Sequence, residues 1–211
     1  MIVSAILWDN DGVLVDTEHL YFEATRATLA RWGIELTEND YRELFLRQGT
    51  GTLRFAAEHG WPEAELARFR RERSAAYSEL RRGGTHVIDG VTDVVSSLHR
   101  RFTMGIVTSS QREHFELIHA ASGLLRYFEF VLASGDYANP KPHPEPYLKG
   151  LERIGVAREE CVVVEDSERG LTAATAAGLR CIVVPSRLTA GAEFAGAYRV
   201  LRDIRELPAF L

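Results

Sequence analysis

Short apolar runs alternate along the chain with segments of helical periodicity. Five runs are strand-like, with a weaker sixth near 198–201: residues 2–8, 103–107, 129–132, 161–164 and 181–184. Continuous apolar runs of this length are typical of strands buried on both faces of a sheet. Helical spacing of apolar residues marks Val91 to Leu98 and Tyr147 to Ile154, and an Ala-rich stretch over 168–177 stops at Gly178. The alternation predicts an α/β fold with a doubly wound, Rossmann-like parallel sheet.

One block interrupts this alternation. Residues 16–86 contain no convincing strand, and Phe22, Thr25 and Leu29 lie on one helical face. Thr37 with Asp40 resembles a capping box that opens a second helix. We therefore expect residues 1–15 and 87–211 to form the Rossmann-like core, and residues 16–86 to form an inserted all-helical cap domain.

Composition narrows the range of functions. The 211 residues carry 25 basic and 30 acidic side chains, a net charge of −5, which argues against nucleic-acid binding. No apolar run approaches the roughly 18 residues that a membrane span needs, and the N-terminus has no signal-peptide pattern. We expect a cytoplasmic protein, by default a monomer, with a dimer left open. Cys161 and Cys181 flank apolar runs, which predicts buried free thiols.

Polar side chains follow the first four strands of the predicted sheet. In an open parallel sheet, ligands bind beyond the carboxyl ends of the strands, so these positions are the candidates for chemistry. In strand order the residues are Asp9, Asn10 and Asp11, then Thr108, Ser109 and Ser110, then Lys141 in a longer loop, and finally Glu165 and Asp166.

The charges of these candidates predict a cation and an anionic substrate. Two carboxylates about 4 Å apart repel by about 1 kcal/mol in water and by several times more in a dry site. A hard divalent ion relieves that repulsion, and Mg²⁺ prefers carboxylates, waters and phosphate oxygens. Lys141 in the same site suggests an anion, and the hydroxyl and backbone N–H groups after the second strand suit phosphate.

Four segments together resemble the haloacid dehalogenase superfamily. They are W-D-N-D-G-V-L-V-D-T-E at 8–18, V-T-S-S at 107–110, K-P-H-P-E-P-Y at 141–147 and V-V-V-E-D-S-E-R-G-L at 162–171. The group that the chain resembles comprises phosphatases and phosphomutases with a helical cap inserted after the first strand. The resemblance spans nearly the whole chain.

The resemblance implies a role for each candidate. Asp9 would be the nucleophile that forms an aspartyl-phosphate, and Asp11 would protonate the leaving oxygen and then activate water. Lys141 would offset charge on the nucleophile and the phosphoryl group. Asn10, Thr108 and Ser109 would complete the phosphate-binding set.

The resemblance also implies a Mg²⁺ site. Asp166 would bind the ion with Asp9 and the main-chain carbonyl of Asp11, and Glu165 would assist directly or through water. Ser167 is expected only to cap the following helix. His114 and His119 are expected on helix surfaces or in partial burial, without a function.

Several alternatives remain open. Taken alone, Asp9 and Asp11 could be a turn and a helix cap, and Lys141 could be a surface residue. Asp11 argues against a dehalogenase, which lacks an acid there. A β-phosphoglucomutase-like enzyme would have a histidine in place of Tyr21 and a lysine in the cap, so we favour a phosphatase. A non-catalytic phosphate-binding protein is the weakest alternative.

The substrate is expected to be a small phosphorylated metabolite, and sugar phosphates, phosphoglycolate and nucleotides all remain open. In the group that the chain resembles, the cap closes over the site and supplies selectivity. Candidate selecting residues are Glu18, His19, Tyr21, Arg47, Gln48 and Thr50.

Overall fold

The computed structural model describes residues 3–83 and 86–211. The chain divides into two compact units, and the division falls between Asp16 and Thr17 and again at the undescribed residues 84 and 85. These bounds lie one and two residues from the predicted ones. That the helical unit acts as a cap stays a prediction.

A six-stranded sheet forms the centre of the first unit. Its strands are β1 (Ala5–Trp8), β2 (Thr103–Gln111), β3 (Phe130–Ser134), β4 (Cys161–Glu165), β5 (Arg180–Val183) and β6 (Arg199–Val200). All neighbouring strands pair in parallel, in the order β3-β2-β1-β4-β5-β6. The predicted doubly wound parallel sheet is therefore confirmed, including the weak sixth strand.

The strand bounds differ most from the predicted ones at the start of β1 and at the end of β2. The first strand begins at Ala5 rather than at residue 2, and Met1 and Ile2 lie outside the described residues. Strand β2 continues past its apolar run through Thr108 to Gln111, with a register shift against β3 after Val107. Backbone pairing with a neighbouring strand extends β2 into a polar segment that the hydrophobic pattern does not mark.

The second unit contains only helical elements among its described residues. They are α1 (Glu18–Arg31), α2 (Glu38–Tyr41), a π-helical segment (Arg42–Arg47), α3 (Gly51–Glu58), α4 (Glu63–Leu80) and a 3₁₀ turn (Arg81–Gly83). Helices α1 and α4 pack together, and Trp32, Trp61 and Phe69 form an aromatic cluster in this unit. The capping box of Thr37 and Asp40 is present with both hydrogen bonds.

The remaining helices cover the two faces of the sheet. They are α5 (Val91–Leu98), α6 (Arg112–His119), α7 (Glu145–Ile154) and α8 (Glu168–Ala176), with 3₁₀ turns at Leu125–Tyr127, Arg158–Glu160 and Ile204–Phe210. Side chains of β1 alternate: Ile6 and Trp8 belong to one buried cluster, whereas Ala5 and Leu7 belong to another. The first cluster includes residues of α5 and α6, and the second includes residues of α7 and α8.

Three smaller expectations are confirmed. Ser167 caps α8 by accepting a hydrogen bond from the N–H of Gly170. Gly178 follows that helix with a left-handed φ of 74°. Cys161 and Cys181 are buried free thiols. Among the described residues, no helix combines the length and the apolar character that a membrane span needs.

Candidate active site

The carboxyl ends of adjacent strands bring the predicted residues together. Asp9 directly follows β1, Thr108 lies within β2, Glu165 is the last residue of β4, and Asp166 comes next. Because β2, β1 and β4 are parallel neighbours, their carboxyl ends share one edge of the sheet. Lys141 reaches the same place from the loop after β3 and is only 3% exposed.

The Lys141 ammonium is the centre of this cluster. Its Nζ lies 2.6 Å from Asp9 Oδ1, 2.7 Å from Glu165 Oε1, 2.9 Å from the carbonyl oxygen of Val107 and 2.9 Å from the Tyr147 hydroxyl. An ammonium has three N–H groups, so these acceptors satisfy it fully. The Tyr147 hydroxyl donates to Glu165 Oε1 at 2.6 Å. Sequence reasoning placed Tyr147 only in a helix core and missed this contact.

Burial and charge shift the pKa values of the cluster in opposite directions. Burial raises the pKa of Asp9 to about 7; repulsion from Glu165 adds to this, and Lys141 opposes it only in part. Burial alone would lower the pKa of Lys141, but the carboxylates of Asp9 and Glu165 outweigh burial and raise it. Burial would likewise raise the pKa of Glu165, yet Lys141 holds it below its usual value. The site therefore keeps a permanently charged lysine between two carboxyl groups.

Three buried carboxylates can share one cation. Asp9, Glu165 and Asp166 each offer an oxygen, and these three oxygens lie within 4.8 Å of one another. With all three ionised and Lys141 protonated, the formal charge of the cluster is −2, which one divalent ion offsets. Oxygen ligands of this kind fit a hard cation such as Mg²⁺. The predicted carboxylate cluster is thus present, with the Asp11 side chain outside it.

Two glycines leave the space that these carboxylates occupy. A Cβ at Gly12, where φ is +87°, would lie 2.2 Å from Asp166 Oδ2. A Cβ at Gly170 would lie 1.9 Å from Glu165 Oε1. Neither approach is compatible with a larger residue unless the carboxylate moves, so both glycines shape the candidate cation site.

The Asp11 carboxylate points to the end of β2. Its Oδ2 accepts hydrogen bonds from Ser110 Oγ at 2.7 Å, Asn10 Nδ2 at 3.2 Å and Thr108 Oγ1 at 3.3 Å. Thr108 Oγ1 also accepts from the Ser110 N–H at 3.0 Å. The sequence placed Ser110 after the second strand with Thr108 and Ser109 but gave it no role. The structure shows that its hydroxyl donates the shortest of these hydrogen bonds to Asp11.

Asn10 is fully buried, and its side-chain amide is engaged within the protein. It contacts Asp11 Oδ2 on one side and His119 Nε2, at 2.8 Å, on the other. His114 and His119, expected on helix surfaces or in partial burial, are buried more deeply than that, with 8% and 4% of their surface exposed. Helix α6 turns both toward the protein because it packs its Phe115 and Ile118 into the core.

The candidate selecting residues all lie in the helical unit. The Tyr41 hydroxyl donates to Glu18, and the Tyr21 ring packs edge-on against Tyr77. Glu43 pairs with two of the other candidates, with Arg47 at 3.1 Å and Gln48 at 2.6 Å. His19 is half-buried, and the Thr50 hydroxyl lies 3.4 Å from Gln48 Oε1. A role in substrate selection stays a prediction for all six.

Comparisons with known proteins identify relatives of this chain. The profile described as haloacid dehalogenase-like hydrolase matches residues 6–184. Protein CbbY of Cereibacter sphaeroides is 35% identical over 219 residues, covering 97% of this chain and 94% of the relative. The phosphorylated carbohydrates phosphatase of Thermotoga maritima is 36% identical over 185 residues, covering 85% of this chain and 84% of the relative.

A solved structure has the same fold. Crystalline CbbY from Rhodobacter sphaeroides, in complex with xylulose-(1,5)bisphosphate, superposes with a TM-score of 0.85 at 30% identity, covering 98% of this chain and 96% of that one. The chain belongs to the haloacid dehalogenase-like hydrolase family. Within that family, relatives named as phosphatases place it among the phosphatases.

Proposed function

We propose that this chain is a Mg²⁺-dependent phosphatase that hydrolyses a small phosphorylated carbohydrate through an aspartyl-phosphate on Asp9. The observation that carries the proposal is the buried cluster in which Lys141 lies 2.6 Å from Asp9 Oδ1 and 2.7 Å from Glu165 Oε1. Carbohydrate is the favoured substrate class because similar proteins are named as a phosphorylated carbohydrates phosphatase and a fructose-1-phosphate phosphatase.

Asp9 has the environment that a nucleophile needs. The hydrogen bond from Lys141 fixes the rotation of the Asp9 carboxylate, so that a carboxylate oxygen is oriented before substrate arrives. Attack of that oxygen on phosphorus forms the Asp9–phosphate bond while the bond from phosphorus to the sugar oxygen breaks. The positive charge of Lys141 offsets the negative charge that the phosphoryl group carries during transfer.

Asp11 would handle the proton in both halves of the reaction. It gives its proton to the departing sugar oxygen, and then takes a proton from water as that water attacks the aspartyl-phosphate. The second step breaks the Asp9–phosphate bond, releases inorganic phosphate and restores Asp9. Three donors are directed at Asp11 Oδ2, so the transferred proton would be carried by Oδ1.

Asp9, Glu165 and Asp166 would hold the Mg²⁺ ion, with the Asp11 carbonyl as the further ligand that the family resemblance implies. When bound, the ion supplies positive charge that allows an anionic phosphate group to approach the Asp9 carboxylate. The fit rests on the donor set, which is three buried carboxylate oxygens, and on the space that Gly12 leaves beside Asp166.

A phosphate-release assay tests the proposal. The wild-type chain is expected to release phosphate from at least one sugar phosphate in a panel of phosphorylated metabolites when Mg²⁺ is present, and to lose the activity with a chelator. Asp9→Asn should lower turnover by about 10⁴-fold or more, as loss of a nucleophile does in other hydrolases. Asp93→Asn, at an exposed position in α5, is the matched control and should retain full activity.

Two results would contradict the proposal. Turnover retained by Asp9→Asn would remove the nucleophile assignment, and turnover in the presence of chelator would remove the cation. Interconversion of sugar phosphates faster than release of phosphate would instead identify a phosphomutase.

A further inference from the structure

The ring of His119 is a buried polar group for which the proposed chemistry has no role. It ends helix α6, is 4% exposed and packs against the Phe115 ring with centroids 4.4 Å apart. Both ring nitrogens have partners: Nε2 lies 2.8 Å from Asn10 Oδ1, and Nδ1 lies 2.9 Å from Ser122 Oγ. Asn10 separates the proposed nucleophile Asp9 from the proposed acid and base.

Hydrogen-bond chemistry determines which way the Asn10 amide faces. Its Nδ2 lies 3.2 Å from Asp11 Oδ2, and an amide oxygen in that position would face a carboxylate oxygen with no proton between them. The Asn10 Oδ1 therefore faces His119, and an oxygen acceptor there requires a proton on Nε2. The three side chains form a directed chain in which His119 donates to Asn10 and Asn10 donates to Asp11.

The surroundings of the other ring nitrogen are compatible with this direction. A neutral ring protonated at Nε2 has an acceptor at Nδ1, and the Ser122 hydroxyl, which also lies 3.3 Å from the His119 carbonyl oxygen, can donate to Nδ1 at 2.9 Å. The Ser122 oxygen in turn accepts from the N–H of Leu124 at 3.2 Å. Burial lowers the pKa of His119 to about 4, against a smaller opposing effect of Asp11, so the ring is neutral near pH 7.

We propose that His119 is a positioning residue that holds the Asp11 carboxylate in its reactive orientation through the Asn10 amide. Without a donor at Nε2, the buried Asn10 oxygen lacks its partner, and the amide can rotate its oxygen toward Asp11. That rotation replaces an attraction on Oδ2 by a repulsion and shifts the carboxylate, which then keeps only its donors on the β2 side, Ser110 and Thr108. The role rests on the function proposed above, in which Asp11 protonates the leaving oxygen.

Leaving-group dependence separates this role from simple structural support. A sugar hydroxyl is a poor leaving group and needs the acid, whereas para-nitrophenolate departs without much help. The later attack of water on the aspartyl-phosphate is common to both substrates, but kcat/KM reports only the steps up to departure of the leaving group. Damage to the position of Asp11 should therefore lower kcat/KM for a sugar phosphate much more than kcat/KM for para-nitrophenyl phosphate. A general loosening of the core would slow both to the same extent.

The experiment compares His119→Asn with His119→Gln. A glutamine amide nitrogen reaches about as far as Nε2 and can still donate to Asn10, whereas an asparagine amide reaches only about as far as Nδ1. We expect His119→Asn to lower kcat/KM for the sugar phosphate about tenfold, which is about 1.4 kcal/mol of barrier. The value of kcat/KM for para-nitrophenyl phosphate should fall by no more than about threefold, and His119→Gln should recover most of the loss.

The outcomes are distinct. Equal losses of kcat/KM on both substrates, or no loss on either, would overturn the role of His119 and leave the phosphatase proposal intact. A wild-type chain that hydrolyses neither substrate would overturn the phosphatase proposal itself. A second measurement needs no variant: ¹⁵N spectra of the wild-type chain should show His119 protonated at Nε2 near pH 7, and protonation at Nδ1 alone would refute the hydrogen-bond direction.

Discussion

The Tyr147 hydroxyl gives the sharpest energetic test of the buried cluster. Tyr147→Phe keeps the ring and removes only an oxygen that donates to Glu165 at 2.6 Å and accepts from Lys141 at 2.9 Å. Lys141 retains three acceptors for its three N–H groups, on Asp9, Glu165 and Val107, so the loss falls on Glu165. A hydrogen bond to a charged group contributes about 1.5–3 kcal/mol, so we expect a loss of about 2 kcal/mol in the free energy of unfolding.

Tyr137→Phe is the matched control for this measurement. Its hydroxyl is also in a buried side chain, but it donates at 2.8 Å to the backbone carbonyl of Thr108, which is a neutral acceptor. A neutral hydrogen bond contributes only about 0.5–1.5 kcal/mol. Urea unfolding of both variants at pH 7 gives the two differences directly. If Tyr147→Phe costs no more than Tyr137→Phe, the carboxylate of Glu165 does not carry the charge that we assign to it.

Two further predictions concern the space and the protonation of the site. An alanine in the left-handed conformation of Gly12 costs roughly 1–2 kcal/mol by itself. Gly12→Ala should destabilise the chain by well over that amount and abolish phosphate release, because its Cβ would also lie 2.2 Å from Asp166 Oδ2. Gly155→Ala, at a φ of +73° with open space around it, is the control and should show only the backbone cost. If urea unfolding gives the two variants equal losses in the free energy of unfolding, the predicted clash between Cβ and Asp166 is refuted. His119→Gln should flatten the acid dependence of stability. Because the pKa of His119 falls from 6.5 to about 4 on folding, the wild type should lose about 2 kcal/mol more than the variant between pH 7 and pH 5, and parallel pH curves would refute the shift.

Much of the fold follows from hydropathy because the sheet is buried on both faces. The apolar runs located every strand of the sheet, and the main error was the end of β2. There the polar residues Thr108, Ser109 and Ser110 continue the strand across the register shift, and pairing with β3 resumes at Gln111. Polar side chains are needed at that edge for the site, so the hydrophobic signal stops before the strand does. The π-helical segment Arg42–Arg47 has no marker in the pattern that we analysed.

Sequence reasoning missed the roles of two residues near the site, Tyr147 and His119. Lys141 was noticed because it is one of two lysines in an arginine-rich chain. Tyr147 begins the helically spaced apolar residues that end at Ile154, and that spacing predicts only a core position. Its position six residues after Lys141, in the helix that follows the same loop, is the local signal that could have identified it. No local sequence signal marks His119, because 109 residues separate it from Asn10 and only the fold brings the two together.

The complete saturation of Lys141 has a consequence for chemical labelling. Its side chain is 2% exposed and each N–H is used, so the amine offers no lone pair and no path to an acylating reagent. The other lysine, Lys149, is 43% exposed in its pair with Glu145. Among the lysine side chains, an amine-reactive fluorophore should therefore attach at Lys149 alone as long as the chain stays folded. Modification of Lys141 would then report the opening of the buried cluster.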